Sequence, residues 1–532
     1  MKHCDEIINN LDNAYAYVLR ARTYDSLGQA DKAQEDFEQA AAIEPNNAGV
    51  WMARSDFHLS AGQTDKAIAD IQQALSLASS DIQVQKRAIQ LLFASGDADK
   101  IRQGKDILDQ ALQSNPEDID LRLLKAKSLL TEGTAPAIEN STRILQKITE
   151  DRPEISQAWA LLSDIALSQG QPSKAFDAAL RGLANKPNDR TLLLLKARAE
   201  AVRSPVLAIP TLKMLLELDP NDTQTAILLA NTYISTGQPQ MAVNLLKAQL
   251  VSRAGTPEGR RINIALAVAL HKNGNKADAQ KEFDSLSQSE PNDPGPLLAQ
   301  IPLLKDDQLW SELSQKAADW YQKHPKDSLT PIIIARSLET TEDNQAKIAE
   351  DILRMVLKND SDSVEAMTNL AGLLYTVGRS DESVPLYQRV LQLRPDNLIV
   401  MNNLAWILCE EQGKYQQALE LTQKGLRILP DYIDLIDTRG VIYYRMGEFN
   451  KAVEDFTKCI ILYLENNPAV ISSRFHLARA FAKLGQNDEA VKHLNQALDL
   501  YQALDPANRI RALSATDLAE AQRLLEQLQE GN

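Results

Sequence analysis

Histidine and cysteine are the residues best able to ligate a metal or act as a nucleophile, and in this chain their spacing serves neither purpose. His3, His58, His271, His324, His476 and His493 are scattered, with no two at the interval that puts two ligands on one helix face. Cys4, Cys409 and Cys459 lie far apart and are odd in number, so they form no Cys-x-x-Cys pair and imply no disulfide framework. His3-Cys4 is the one close pair, and it reads as an ordinary chain end rather than a metal site. There is no Gly-rich phosphate loop, no His-Glu-x-x-His and no Gly-x-Ser-x-Gly. Carboxylates are plentiful, but on a repetitive helical surface they read as solvated charge. The expectation is a chain that is not an enzyme, with no catalytic residue, no cofactor and no metal site.

What remains is binding, and charge limits the partner. Lys and Arg number 57 against 72 Asp and Glu, a formal net charge of −15 that repels a phosphate backbone and favours basic or neutral protein segments over nucleic acid. No apolar run approaches the roughly eighteen residues a membrane-spanning helix needs. The opening Met1-Lys2-His3-Cys4-Asp5-Glu6 has no apolar h-region, which is expected of a soluble cytoplasmic chain. A periplasmic protein would need a signal sequence upstream, and residues 4–12 do read like the second helix of a repeat whose first helix is missing.

The elements that must position any binding residues announce themselves as a repeat. Hydrophobic residues make up 44% and aromatics only 5%, with 21 Gly and 22 Pro in 532 residues, a profile that suits Ala- and Leu-rich helices better than strands. A ladder recurs at a period of about 34 residues. Its clearest copy runs from Val364 to Asn397: Met367, Leu370, Ala371 and Leu374 mark one face of a first helix, Gly378 ends it, Ser383, Tyr387 and Val390 line a second, and Pro395 stops that. The ladder returns as Tyr17, Ala21, Gly28, Ala33, Phe37, Pro45, as Trp51, Ser55, Gly62, Ala67, as Trp159, Ser163, Gly170, Ala175, Pro187, and as Gly440, Tyr443, Gly447, Ala452, Phe456. A small residue where two helices cross, Gly in the turn, Pro after the second helix and Asn or Asp before the next are what a closely packed helical hairpin requires. One such hairpin is marginal in water, so neighbours must stack to bury its apolar side.

These ladders resemble the tetratricopeptide repeat, with about fourteen copies over some nine-tenths of the chain. The resemblance implies an all-α fold, a right-handed superhelical α-solenoid of antiparallel helix pairs. Breaks in the pattern divide it into an N-terminal block of about seven repeats over 1–252, a breaker-rich, hinge-like loop at 253–259, a degenerate block over 260–363, a regular block over 364–502 and a capping helix and tail over 503–532. The degenerate block keeps the period but has Leu313 where Ala is usual and Pro331 in an opening turn.

Function in such arrays lives on the concave face built by the first helices. One subset of the family grips chaperone C-terminal carboxylates with Lys and Asn. The matching Lys positions compared are Val18, Met52, Ala160, Leu194, Ile227, Ile264, Thr368, Asn402 and Asp437, none of them Lys, and Asn231 alone fits the Asn position, so a carboxylate clamp is not expected. In the C-terminal block Tyr375, Trp406 and Tyr444 should face the groove, with Asn369 and Asn403 on equivalent turns and Arg445, Arg479 and Lys483 nearby. Exposed aromatics and Arg are the usual interface anchors, and the two Asn could bond an extended backbone. That pair resembles the Asn ladder in the repeat region of O-linked N-acetylglucosamine transferases. These eight residues are the candidate peptide-binding set, and a rival reading packs them against adjacent repeats. The expected function is a non-catalytic scaffold or adaptor holding an extended or helical segment of a partner protein. The alternative, by family analogy, is the soluble repeat region of a bacterial envelope or exopolysaccharide-export assembly factor.

Overall fold

A computed structural model describes residues 13–338, 343–463, 467–504, 509 and 512–530. His3, Cys4 and the partial repeat expected at 4–12 lie outside them. Among the described residues there are twenty-nine helices and no strand, arranged as fourteen helical hairpins and a last helix. The chain is therefore all-α and built as a solenoid of helix pairs. It divides into two compact units, Met1–Ile165 and Ala166–Asn532.

Local chemistry explains each hairpin. Asn47, Asp189, Asp222 and Asn397 accept hydrogen bonds from backbone N–H groups of the first turn they precede, as the pattern predicts. In the regular block Gly378 takes φ +77°, which lets its N–H reach Tyr375 O at 3.0 Å and the next N–H reach Leu374 O at 2.7 Å. The degenerate block repeats this turn at Gln308, with φ 56° and the same pair of bonds to Lys305 and Leu304, so it keeps the geometry without the glycine. Leu313 fills the usual Ala position and is fully buried, and Pro331 sits buried in the first turn of Leu329–Arg336, where its missing N–H costs nothing.

Where helices cross, the small residues are sealed from water: Ala21, Ala33, Ala175, Ala371, Ala418 and Ala452 are all 0% exposed. Ser at such crossings satisfies its hydroxyl on the facing helix, Ser55 to Ala67 O and Ser383 to Ala371 O, both at 2.7 Å. Phe283 and Phe456 are core residues. Tyr17, Trp51 and Trp159 are half-buried, and the indoles of the two Trp donate to Pro45 O and Pro153 O at 2.7 and 2.8 Å.

An Arg on the first helix also staples three hairpins by a two-bond fork to a buried Asp on the second: Arg20 to Asp36, Arg54 to Asp70 and Arg439 to Asp455, at 2.6–2.9 Å. After Pro239–Leu250 the chain makes consecutive turns, with Arg253 bonded to Gln249 O, Pro220 O and Asn221 Oδ1, before Thr256 caps Pro257–Lys272. The last helix, Ala515–Glu530, packs Leu518, Ala521, Leu524 and Leu525 against Ile471, Phe475, Leu494 and Ala497.

Candidate functional site

Four successive first helices, Val364–Thr376, Leu398–Glu410, Ile433–Arg445 and Ala469–Lys483, carry the residues singled out by sequence. Side chains about one repeat apart bond directly across this row. Trp406 Nε1 donates to Tyr375 OH at 3.0 Å, Thr438 Oγ1 to Asn402 Oδ1 at 2.7 Å, and Ser473 Oγ to Asp437 Oδ1 at 2.7 Å. The Arg445 guanidinium forks onto Glu410 at 2.8 and 2.5 Å.

Between these helices and the start of Ala515–Glu530 lies a cavity of about 410 Å³. Trp406, Val441, Tyr444 and Phe456 give it apolar walls, Glu410, Asp437, Arg445, His476 and Arg479 give it charge and polarity, and Leu513, Ser514 and Asp517 close one side. Arg479 lies with its guanidinium carbon 4.7 Å from the Tyr444 ring centroid and its Nε 2.9 Å from Glu520. Ser514 caps the closing helix, donating its hydroxyl to Asp517 at 2.6 Å and accepting the Asp517 N–H at 3.0 Å.

Burial and neighbouring charges shift several titrating groups around the cavity. Burial acts to raise the Glu410 carboxyl, but the Arg445 guanidinium outweighs it and holds the group below the ordinary range. Asp434 has no such help; burial and its neighbour Asp437 push it up. Burial and the same two carboxylates also push up the Tyr463 phenol. His476 is held down by burial against the pull of Asp437, and its buried Nδ1 has no hydrogen-bond partner among the described residues.

Of the eight sequence candidates, Trp406, Tyr444, Arg445 and Arg479 line this cavity together. Tyr375 joins them through Trp406. Asn369 and Asn403 spend amide N–H groups inside the chain, on Glu365 O at 2.7 Å and Tyr387 OH at 3.2 Å, and Lys483 is exposed. Sequence reasoning missed Asp437, His476, Ser514 and Asp517 as one constellation. The only local signal for the closing segment was the capping pattern from Ser514 to Asp517.

A second concavity, of about 600 Å³, lies within Met1–Ile165, lined among others by Met52, Asp56, Lys86, Arg87, Asp120 and Lys127. The expectation that no clamp position carries Lys fails here: on the helix Ile82–Ala94, capped by Asp81, Lys86 occupies the position that Met52 holds one repeat earlier. Burial acts to lower the Lys86 ammonium, yet Asp118 and Asp120, at 2.9 and 2.7 Å, hold it above its ordinary value. Lys86 is therefore already engaged by carboxylates of its own chain.

Comparison with known proteins agrees with this architecture. The model described as the cytochrome c-type biogenesis protein H TPR domain matches residues 42–155. Tetratricopeptide-repeat models match 14–47, 142–190, 227–294, 362–431 and 433–503. The chain belongs to the tetratricopeptide-repeat family, whose members are in general non-catalytic scaffolds for protein partners. Similar solved structures include the APC/C hetero-tetramer Cut9–Hcn1, at 14% identity and TM-score 0.38, over 89% of this chain and 95% of that one. Naa15/Naa10 bound to HypK-THB is similar at 14% identity and TM-score 0.36, over 99% of this chain and 85% of that one. YrrB, described as a TPR protein with an unusual peptide-binding site, is similar at 15% identity and TM-score 0.29, over 37% of this chain and 96% of that one. No helix among the described residues is long and apolar enough to cross a membrane.

Proposed function

We propose that this chain is a scaffold that seats an extended or helical segment of a partner protein along residues 364–483, anchored at the cavity beside Trp406 and Tyr444. The observation that carries the reading is that four of the sequence-selected residues, two aromatic and two Arg, meet at one concavity of about 410 Å³. Such side chains, held rigid by Tyr375, Glu410 and Glu520, lose little entropy when a guest covers them. In this reading the amide oxygens of Asn369 and Asn403 accept from a guest backbone. Replacing Trp406 and Tyr444 together by Ala is expected to reduce partner capture from native extract while the array stays folded, at a lowered thermal midpoint. Unchanged capture by a folded double variant rejects the assignment.

A second reading, as the repeat region of an envelope or export assembly factor, draws on the match of residues 42–155 to a domain named for cytochrome c-type biogenesis. It predicts recovery of the native protein in the envelope fraction of bacterial cells. Recovery only in the cytosol removes it.

A further inference from the structure

Charge bookkeeping around the cavity leaves a specific deficit. The guanidiniums that reach it, Arg445 and Arg479, are each held by a carboxylate, Glu410 and Glu520. Two more carboxylates, Asp437 and Asp517, line the same space with no cation against them among the described residues; the hydrogen-bond donors to them there are the Ser473 hydroxyl for Asp437 and the Ser514 hydroxyl for Asp517. Asp434 stands one turn before Asp437 on the same helix and adds to the field. Asp437 and Asp517 are both half-buried, and a carboxylate partly withdrawn from water gains from a cation placed against it. Next to them the cavity offers aromatic surface, and the protein's own Arg479 already lies against Tyr444. His476 adds a buried, unpartnered Nδ1, which in the neutral ring with hydrogen on Nε2 is an acceptor for one more N–H.

We infer that this cavity takes the cationic end of a lysine or arginine side chain of the partner, held between the Trp406 ring and the Asp437 and Asp517 carboxylates. The inference rests on the groove reading above and adds the chemical class of the anchoring residue. An acidic anchor would have to displace Glu410 or Glu520 from its guanidinium while facing two bare carboxylates. A basic one completes the set. The net charge of −15 then works in the same direction at long range, speeding the approach of a basic segment.

The test uses the full chain and a random dodecapeptide library displayed on phage, with the strongest binder then synthesised and measured by calorimetry. Enrichment of Lys or Arg at one fixed position is expected. Replacing that residue by norleucine, which keeps the stem and removes the charge, should weaken binding by about tenfold. In the D437N/D517N variant the lysine and norleucine peptides should differ by no more than about twofold. Because the norleucine change is made in the guest, it is independent of any folding defect in the variant. Binders that need Trp406 and Tyr444 but tolerate norleucine, or that carry Asp or Glu at the fixed position, overturn the inference and leave the groove reading intact. A library that yields no binder, or binders indifferent to W406A/Y444A, rejects the groove reading and the inference with it.

Discussion

Glycine 259 gives a test in which the structure and simple helix propensity predict opposite signs. It lies in the first turn of Pro257–Lys272, and its N–H donates to the capping Thr256 Oγ1 at 3.0 Å. A Cβ there would stand 1.9 Å from the Arg253 carbonyl oxygen and 2.8 Å from its carbon. An ordinary carbon–oxygen contact is about 3.3 Å, so something must move by about 1.4 Å. The Arg253 carbonyl cannot yield freely, since it accepts from Thr256 N and Thr256 Oγ1 at 3.1 and 2.9 Å. Gly259→Ala should therefore lose about 1–3 kcal/mol to overpacking and up to about 2 kcal/mol of capping, against a gain of about 1 kcal/mol from helix propensity. The expected net loss is about 2 kcal/mol, the middle of a span of about 0–4 kcal/mol. Gly372 is the control: its added Cβ meets only Tyr387 OH at 3.5 Å, so Gly372→Ala should stabilise by about 1 kcal/mol. Urea denaturation measures both, and hydrogen exchange over residues 239–272 should show the Gly259→Ala loss localised at this junction. A Gly259→Ala chain at least as stable as wild type refutes the steric argument.

Arg439→Ala strands Asp455, which is 5% exposed, and should cost about 2–4 kcal/mol by chemical denaturation, whereas R439M/D455L should recover most of that loss. Cys409 and Cys459 are buried, and burial with the nearby Glu410 pushes the Cys409 thiol up to about 12, so neither should react with iodoacetamide at neutral pH until the chain unfolds. Mass spectrometry of peptides alkylated natively and in urea decides that. Burial lowers His476 from its ordinary 6.5, so the unfolded chain binds the proton first as pH falls. Its contribution to stability is thus intact above pH 6.5 and is lost below it; His476→Leu should flatten the denaturation-midpoint profile on the acid side relative to wild type, and parallel profiles would rule out that role.

Most of the fold could be read because the repeat restates its requirements locally. Ala371 beside Ser383, Gly378 in the turn, Pro395 after the helix and Asn397 before the next are each explained by contacts within one hairpin. Gly440 was recognisable as a crossing residue for the same reason, since a Cβ there would meet the Phe456 ring at 2.7 Å. The degenerate turn at Gln308 was hard to see because the geometry survived while the residue that signals it did not. The site was only half visible. Aromatic identity and repeat position placed Tyr375, Trp406 and Tyr444 on the right helices, but not the bond between Tyr375 and Trp406, which depends on how two repeats are rotated against each other.

What local pattern could not supply was the cavity's closure. Glu410 and Asp517 line one space although more than a hundred residues separate them, and only the folding back of the C-terminal helix onto Asn487–Ala503 brings them there. A regular repeat offers a guest the same shallow groove at every step, so periodicity alone gives no reason to bind in one place. Selectivity has to come from where the repetition stops. Here the cap adds Asp517 to the cavity that Asp437 lines, and its Glu520 pairs with Arg479. In the proposed reading, the residues that end the solenoid by covering its last apolar face also complete the cavity that anchors the guest.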